Sequence, residues 1–260
     1  MDVSGSMSAA DVEPNRLAAA QAAAKAFVAD QPASVRIGVV SFAATASVVQ
    51  APTHNHDDVT AAIDRFQLQY GTAIGSGIIV SLATLFPDAG FDVVELEYGR
   101  DSRHAGERAV GRNAAGKGDK VPPKPVPPGS YNSAAIILLT DGQSTTGPDA
   151  MAAARLAADR GVRIFTVGIG TTAGEVMRFE GWRMRVRLDE ETLKNIATAT
   201  RGDYFYAGTA KDLKKIYQKL NAQFVLEKKA SEITALFSAA AAVTALLAAL
   251  LSLLWFNRIL

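Results

Sequence analysis

The fold is decided by two short apolar stretches, AAIILLTDG at residues 134–142 and RIFTVGI at residues 163–169. Both are nearly continuous in aliphatic residues, as expected of strands that are buried on both faces. The residues between them, 148–160, have an Ala-rich helical pattern that ends at Gly161. This order of strand, helix and strand predicts a parallel pair joined by a crossover helix.

The same alternation of helices and strands extends in both directions along the chain. Further helices are predicted at residues 14–30, 57–66, 72–85, 189–200 and 210–224. Further strands are predicted at residues 35–42, 46–50 and 204–206. Together these elements predict an α/β fold, doubly wound, with a mostly parallel sheet and helices on both of its faces.

One long segment, residues 87–131, interrupts this alternation between a predicted helix and a strand. It contains the run VPPKPVPPG at residues 121–129, whose prolines favour extended polyproline geometry. A connection of this length is unusual inside a compact domain. We expect a flexible insertion that acts as a docking arm.

A second exceptional segment is the uncharged stretch ITALFSAAAAVTALLAALLSLLWF at residues 233–256. At about 1.5 Å per residue, a helix of this length crosses a hydrocarbon core of about 30 Å. It also lacks the polar face of a helix on a soluble domain. We therefore predict a single transmembrane helix and a location in the cell membrane. Basic residues flank both ends, so the orientation stays open, and an Ala/Leu-rich core helix is the alternative.

The composition excludes several kinds of site. The chain has no cysteine, which rules out disulfides, thiolate metal sites and cysteine nucleophiles. Its three histidines lack the paired helical spacing of a zinc protease. The formal net charge of +1 argues against nucleic acid as a partner. Any metal must therefore be held mainly by oxygen atoms.

Oxygen-bearing side chains occur in three predicted strand-to-helix loops: DVSGS at residues 2–6, GT at residues 71–72 and TDG at residues 140–142. In a doubly wound sheet such loops share the edge at the carboxyl ends of the strands. The side chains expected to converge there are those of Asp2, Ser4, Ser6, Thr72 and Asp141. Two carboxylates and three hydroxyls are hard donors that suit Mg²⁺, Mn²⁺ or Ca²⁺. With so little charge from the protein, an open position on the ion would attract an Asp or Glu of a protein partner.

These motifs resemble the von Willebrand factor A (VWA) family, whose metal-ion-dependent adhesion site (MIDAS) has the form D-x-S-x-S, then a Thr, then an Asp. All five positions match. Longer stretches, such as YGTAIGSGI at residues 70–78 and IILLTDGQSTTG at residues 136–147, resemble its bacterial membrane-anchored Bat (aerotolerance-type) branch. The resemblance implies a VWA domain at residues 1–226 with an insertion at 87–131. The apolar strand and membrane segments that precede the site in Bat-like proteins are absent, so we expect a fragment in which Asp2 is poorly positioned.

The function predicted from these features is a membrane-anchored adhesion or scaffold module rather than an enzyme. Its expected partners are a protein that supplies the metal-bridging carboxylate and other subunits of a membrane complex. A Mg²⁺-dependent hydrolase or phosphoryl-transfer enzyme using the same oxygens is one alternative. A structural scaffold that no longer binds metal, because its first strand is missing, is another. The alternative to the metal site itself is that Ser4 and Ser6 merely cap a helix.

Two other patterns resemble ligand sites. The run GRNAAGKG at residues 111–118 nearly matches a phosphate-binding loop, but it lacks the hydroxyl residue after the lysine. The run HNHD at residues 54–57 could be a metal cluster, although its place before a helix favours capping. We expect neither to bind a ligand.

Overall fold

The computed structural model describes residues 1–87, 125–179, 182–209, 211–213, 215–217, 220 and 237–251. The chain divides into two compact units, Met1–Tyr217 and Gln218–Leu260. The α/β elements and the candidate site belong to the first unit.

Five helices and seven strands of the first unit have both ends described, after a short 3₁₀ helix at Gly5–Ser8. The helices are α1 (Arg16–Ala29), α2 (His56–Asp64), α3 (Ile74–Leu85), α4 (Ala150–Asp159) and α5 (Glu190–Thr200). The strands are β1 (Ile37–Phe42), β2 (Ala46–Thr53), β3 (Ala135–Thr140), β4 (Arg163–Ile169), β5 (Glu175–Phe179), β6 (Trp182–Val186) and β7 (Tyr204–Ala207).

The central strands pair as the sequence predicts. Strands β3, β4 and β7 form a parallel sheet in that order, and α4 is the crossover between β3 and β4. The register places Leu139 beside Val167, so the two strands end at the same edge. Strand β2 pairs antiparallel with β1 and is three residues longer than predicted, reaching Thr53 instead of Gln50.

Residues 1–3 lie between β1 and β3 and hydrogen-bond to both. The N–H groups of Phe42 and Val3 donate to Met1 and Phe42 carbonyls at 3.0 and 2.9 Å, while the Asp2 N–H donates to the Leu139 carbonyl at 2.9 Å. These bonds hold Asp2 at the edge where β3 ends. The expectation that Asp2 is poorly positioned was therefore wrong, because two residues of extended chain suffice to bond to both neighbours.

Two apolar clusters lie on opposite faces of the sheet. One packs Phe42, Ile136 and Leu138 against side chains of α3, α4 and α5, and the other packs Val39 against those of α1 and α2. Val39 and Phe42 are an odd number of residues apart on one strand, so their side chains point to opposite faces. Helices therefore cover both faces, as predicted for a doubly wound fold.

Besides the short 3₁₀ helix at Gly5–Ser8, the hairpin of β5 and β6 is the described element that the sequence reading missed. Its register pairs Val176 with Arg185 and Phe179 with Trp182. The residues between its strands are Glu and Gly at 180–181, and this pair lacks the Asn-Gly or Asp-Gly signature of a two-residue hairpin turn.

Several predictions fall wholly or partly outside the described residues. The insertion does so at residues 88–124, and with it the phosphate-loop pattern at 111–118. Of the last predicted helix of the domain, residues 211–213, 215–217 and 220 are described, and all are helical. Residues 237–251 of the predicted transmembrane segment are also helical. Over the described residues, no helix has the length and apolar character needed to span a membrane.

Candidate metal centre

Asp2 is fully buried, and both of its carboxylate oxygens accept hydrogen bonds. Oδ1 accepts from the backbone N–H of Ser4 at 2.8 Å, and Oδ2 accepts from the hydroxyl of Thr140 at 2.5 Å. The first bond closes a local turn that Asp side chains favour. It brings the hydroxyl-bearing residues after Asp2 back towards the carboxylate.

Ser4 and Ser6 link Asp2 to Asp141 through their hydroxyl groups. The two Oγ atoms lie 2.9 Å apart. The Ser6 hydroxyl donates to Asp141, and the Ser4 hydroxyl lies close enough to Asp2 to act against the rise in its pKa. Ser4 precedes the 3₁₀ helix, yet its side chain makes no capping bond, so capping does not explain its presence.

Asp141 follows β3 directly and is fully buried. Its Oδ1 accepts from the N–H of Gln143 at 3.2 Å, and its Oδ2 accepts from Nη1 of Arg16 at 3.1 Å. Its own carbonyl accepts from the N–H of Asp189 at 2.8 Å, which ties the start of α5 to the site.

Thr72 lies in the loop before α3 and is buried. Its N–H donates to the hydroxyl of Thr145 at 2.9 Å, and its carbonyl accepts from the N–H groups of Thr145 and Thr146 at 2.8 and 3.1 Å. Three residues earlier, the Gln69 N–H donates to the Val3 carbonyl at 2.8 Å. The Thr72 loop is thus bonded to both other loops of the predicted site.

The structure therefore brings four predicted residues into one chain of hydrogen bonds: Asp2, Ser4, Ser6 and Asp141. Thr72 joins them through backbone bonds between its loop and theirs. All three loops lie at the carboxyl edge of the strands, as the doubly wound topology predicts.

Burial shifts the acidity of both carboxyl groups. The pKa of Asp2 is raised from 3.8 to about 6, first by burial and then by the negative charge of Asp141; hydrogen bonds from Ser4 and Thr140 oppose the shift. Burial also raises the pKa of Asp141, against opposing hydrogen bonds from Ser6 and Gln143 and the charge of Arg16. Two adjacent buried carboxylates are costly when ionised, so this site favours a cation.

Arg16 is a functional residue that the sequence reading missed. Its side chain is completely buried, and its guanidinium donates to both oxygens of Asp11 at 2.7 Å as well as to Asp141. It packs directly on Gly170, where a Cβ would lie 2.5 Å from the guanidinium. An arginine in the first turn of a helix interacts unfavourably with the helix dipole. This unfavourable position is the feature of the sequence that could have indicated a special role for Arg16.

Asp11 is the acid that shares the guanidinium of Arg16 with Asp141. Partial burial acts to raise its pKa, but hydrogen bonds from Arg16 and Thr171 outweigh that effect and lower it. Three carboxylates and one guanidinium leave a formal charge of −2 when Asp2, Asp11, Asp141 and Arg16 are all ionised. One divalent cation would balance that charge.

The donor chemistry fits a hard cation. Over the described residues, no group of three or more His, Asp or Glu side chains could hold a metal ion. A cation at this edge would therefore need serine and threonine hydroxyls beside two carboxylates. The three hydroxyls and two carboxylates of the site supply such a set for Mg²⁺, Mn²⁺ or Ca²⁺.

The histidine run at residues 54–57 has the structural role expected of it. The Asn55 side chain caps α2 by accepting from the Asp57 N–H. The His54 and His56 rings hydrogen-bond to the Ala33 and Val35 carbonyls. These contacts give the run no metal-binding arrangement.

Comparison with known families agrees with this fold and site. A family model described as von Willebrand factor type A domain matches residues 1–93, and a second with the same description matches residues 129–219. Their boundaries leave out most of the predicted insertion. The molecule is a VWA domain, a class of protein-interaction module.

The UPF0353 protein of Mycolicibacterium paratuberculosis is 35% identical over 260 residues, which cover 95% of this chain and 68% of that protein. The chain belongs to the UPF0353 family of VWA-domain proteins. The relative from Mycolicibacterium vanbaalenii is 37% identical over 233 residues, covering 87% of this chain and 59% of the relative.

Solved structures show the same fold in Bat-type proteins. An aerotolerance-related membrane protein from Bacteroides fragilis superposes with a TM-score of 0.61 at 20% identity, covering 86% of this chain and 94% of that one. BatB from Bacteroides thetaiotaomicron gives 0.60 at 21% identity, covering 86% and 95%. Proximal thread matrix protein 1 from mussel byssus, with a zinc-occupied MIDAS motif, gives 0.51 at 21%, covering 85% and 43%. The predicted resemblance to Bat-type proteins is confirmed for the fold.

The buried ion pairs of Arg16 predict a large loss of stability in Arg16→Met. Removing the guanidinium leaves Asp141 and Asp11 without their cation, so the free energy of unfolding should fall by about 3–5 kcal/mol. Lys25→Met is the matched control, because it breaks the exposed pair with Asp64 and should cost less than about 1 kcal/mol. Urea unfolding followed by circular dichroism measures both, and equal losses would contradict the structural role of Arg16.

The raised pKa of Asp2 predicts a pH dependence in EDTA. The folded state holds this proton more tightly than the unfolded state, so the stabilising contribution is complete below pH 3.8 and is lost as the pH rises through about 6. Asp2→Asn removes this titration. The wild-type free energy of unfolding, minus that of the variant, should therefore fall between about pH 4 and pH 7. Urea unfolding at these pH values measures the difference, and a constant value would contradict the shift.

Proposed function

We propose that this chain is a membrane-anchored, metal-ion-dependent binding module that recognises a carboxylate of a protein partner. In this proposal Ser4, Ser6 and Thr72 contact a divalent cation, and Asp2 and Asp141 hold it directly or through water. Mg²⁺ is the preferred ion, with Mn²⁺ and Ca²⁺ as the other candidates. An Asp or Glu of the partner completes the coordination.

The observation that carries this proposal is the burial of Asp2 and Asp141 in one network joined by the hydroxyls of Ser4 and Ser6. The hydroxyls are neutral, so an ion held by this set keeps much of its positive charge. Each carboxylate oxygen of Asp2 and Asp141 already accepts a hydrogen bond, but an ionised carboxylate has further acceptor capacity for an ion or its water.

Ser6 gives the site an approach from outside. It is only partly buried, whereas Asp2, Ser4, Thr72 and Asp141 are buried. The exposed loop at residues 144–146 lies beside Thr72. A partner carboxylate can approach the ion along this side without unfolding the sheet. The zinc-occupied MIDAS motif of the mussel protein supports the capacity of this fold to hold a divalent ion.

A binding role is favoured over catalysis by the surroundings of the site. A Mg²⁺-dependent hydrolase or phosphoryl-transfer enzyme needs a general base or a second metal. Among the described residues around the two acids, the polar contacts come from hydroxyls, backbone N–H groups and Arg16, and none of these groups is a base at neutral pH. The metal-free scaffold is the remaining alternative.

The membrane anchor is the second part of the proposal. The described helix at residues 237–251 exposes large apolar side chains along its length, among them Phe237, Leu246 and Leu250. An apolar helix exposed on all sides suits lipid. We propose that residues 233–256 form a single-pass anchor that places the protein in the cell membrane.

Removal of the negative charge of Asp141 is expected to weaken metal binding. Asp141→Asn should weaken Mg²⁺ affinity roughly 10–100-fold, because the buried negative charge that attracts the ion is halved. Asp64→Asn, which changes an exposed acid paired with Lys25, is the control and should bind as the wild type does. Isothermal titration with MgCl₂ measures affinity, and a pull-down in Mg²⁺ or EDTA measures partner capture. Equal affinity in all three proteins would contradict the metal site.

Deletion of residues 233–256 tests the anchor. The truncated protein should move from the alkali-resistant membrane pellet to the supernatant, because its apolar segment is gone. Fractionation and immunoblotting measure the distribution. Retention of the truncated chain in the pellet would contradict the proposed anchor.

A further inference from the structure

The β5–β6 hairpin is attached to the candidate metal centre at its base. The Leu188 N–H donates to the Thr171 carbonyl at 3.1 Å, and the next N–H, of Asp189, donates to the Asp141 carbonyl at 2.8 Å. On the other strand, Glu175 Oε2 accepts from the N–H groups of Ala10 and Asp11 at 2.6 and 3.0 Å. The hairpin therefore starts at the edge of the sheet that carries Asp141.

The hairpin is rich in arginine. Four arginines occur between residues 178 and 187: Arg178, Arg183, Arg185 and Arg187. The side chains of Arg185 and Arg187 are exposed, whereas Val186 and Leu188 between and after them are buried. This alternation defines an outer face of the ribbon, and Val176, paired with Arg185, is half exposed on it.

The pairing register concentrates the positive charge further. Arg178 lies opposite Arg183 in the antiparallel ladder. The whole chain carries a formal charge of only +1, so the four arginines of the hairpin are a local concentration of positive charge.

We propose that this hairpin, residues 175–187, is a second contact surface for the protein partner and binds an acidic segment next to the metal-bridging carboxylate. The inference rests on the proposed function and names the chemistry of its partner. Arginine pairs with carboxylates through two parallel hydrogen bonds. Because the hairpin starts beside Asp141, one acidic stretch of polypeptide can supply both the carboxylate for the ion and those for the arginines.

The test compares the full chain with a variant in which Arg185 and Arg187 are both changed to glutamate. Both side chains are exposed, so the fold should tolerate the change. The matched control changes Arg36 and Arg65, also exposed, to glutamate. Fluorescence anisotropy measures binding of a fluorescein-labelled peptide of repeated Gly-Glu, in Mg²⁺ and in EDTA, and co-sedimentation measures binding to phosphatidylserine vesicles.

The hairpin variant should bind the peptide at least roughly tenfold more weakly than the wild type, with and without Mg²⁺, because two attractive charges have become repulsive. The control variant should retain wild-type affinity. Unchanged peptide binding by the hairpin variant would overturn the proposal. So would a loss confined to vesicles, which would indicate an anionic lipid surface instead.

Asp141→Asn separates this inference from the proposed metal role. It should abolish the Mg²⁺-dependent gain in peptide affinity and leave the binding in EDTA intact. If Mg²⁺ gives the wild type no gain while the hairpin variant still loses affinity, the metal role fails and the acidic-segment surface stands. If Mg²⁺ gives the wild type a gain and the hairpin variant binds the peptide as tightly as the wild type in both buffers, the metal role stands and the surface fails.

Discussion

Two carboxylates, Asp2 and Asp141, are buried next to each other, and the structure around them has to compensate for their charge. Hydroxyls of Ser6 and Thr140 donate to them, backbone N–H groups of Ser4 and Gln143 add further bonds, and the guanidinium of Arg16 neutralises part of the charge. These groups come from three separate parts of the chain: the first residues, the start of α1 and the end of β3. The site can therefore exist only when the sheet and its loops are folded.

The compensation is incomplete. Arg16 is shared between Asp141 and Asp11, so one cation serves two acids, while the pKa of Asp2 stays raised. A fully neutralised cluster would be a structural ion-pair network with no use for a metal. The residual negative charge, together with neutral hydroxyl oxygens, gives this cluster the chemistry of a cation site.

The sheet makes the two acids neighbours. Asp2 is bonded to Leu139 of β3, and Asp141 follows the same strand two residues later. The short segment at residues 1–3 also bonds to β1, so it connects the two-stranded β1–β2 sheet with the three-stranded β3–β4–β7 sheet, which have no other direct backbone pairing among the described residues. The position of the site and the continuity of the sheet thus depend on the same few hydrogen bonds.

Local patterns were enough to predict the α/β class, the strand–helix–strand unit of β3, α4 and β4, and the three loops that carry Asp2, Thr72 and Asp141. These features follow from apolar periodicity and from the rule that parallel strands end at a common edge. The role of Arg16 depends on contacts with Asp11 and Asp141, which lie 5 and 125 residues away, and the hairpin depends on pairing across an ambiguous turn. The contacts of Arg16 and the hairpin are determined only in the folded chain. Burial and charge pairing between separate segments produce no periodic pattern in the sequence from which they could be predicted.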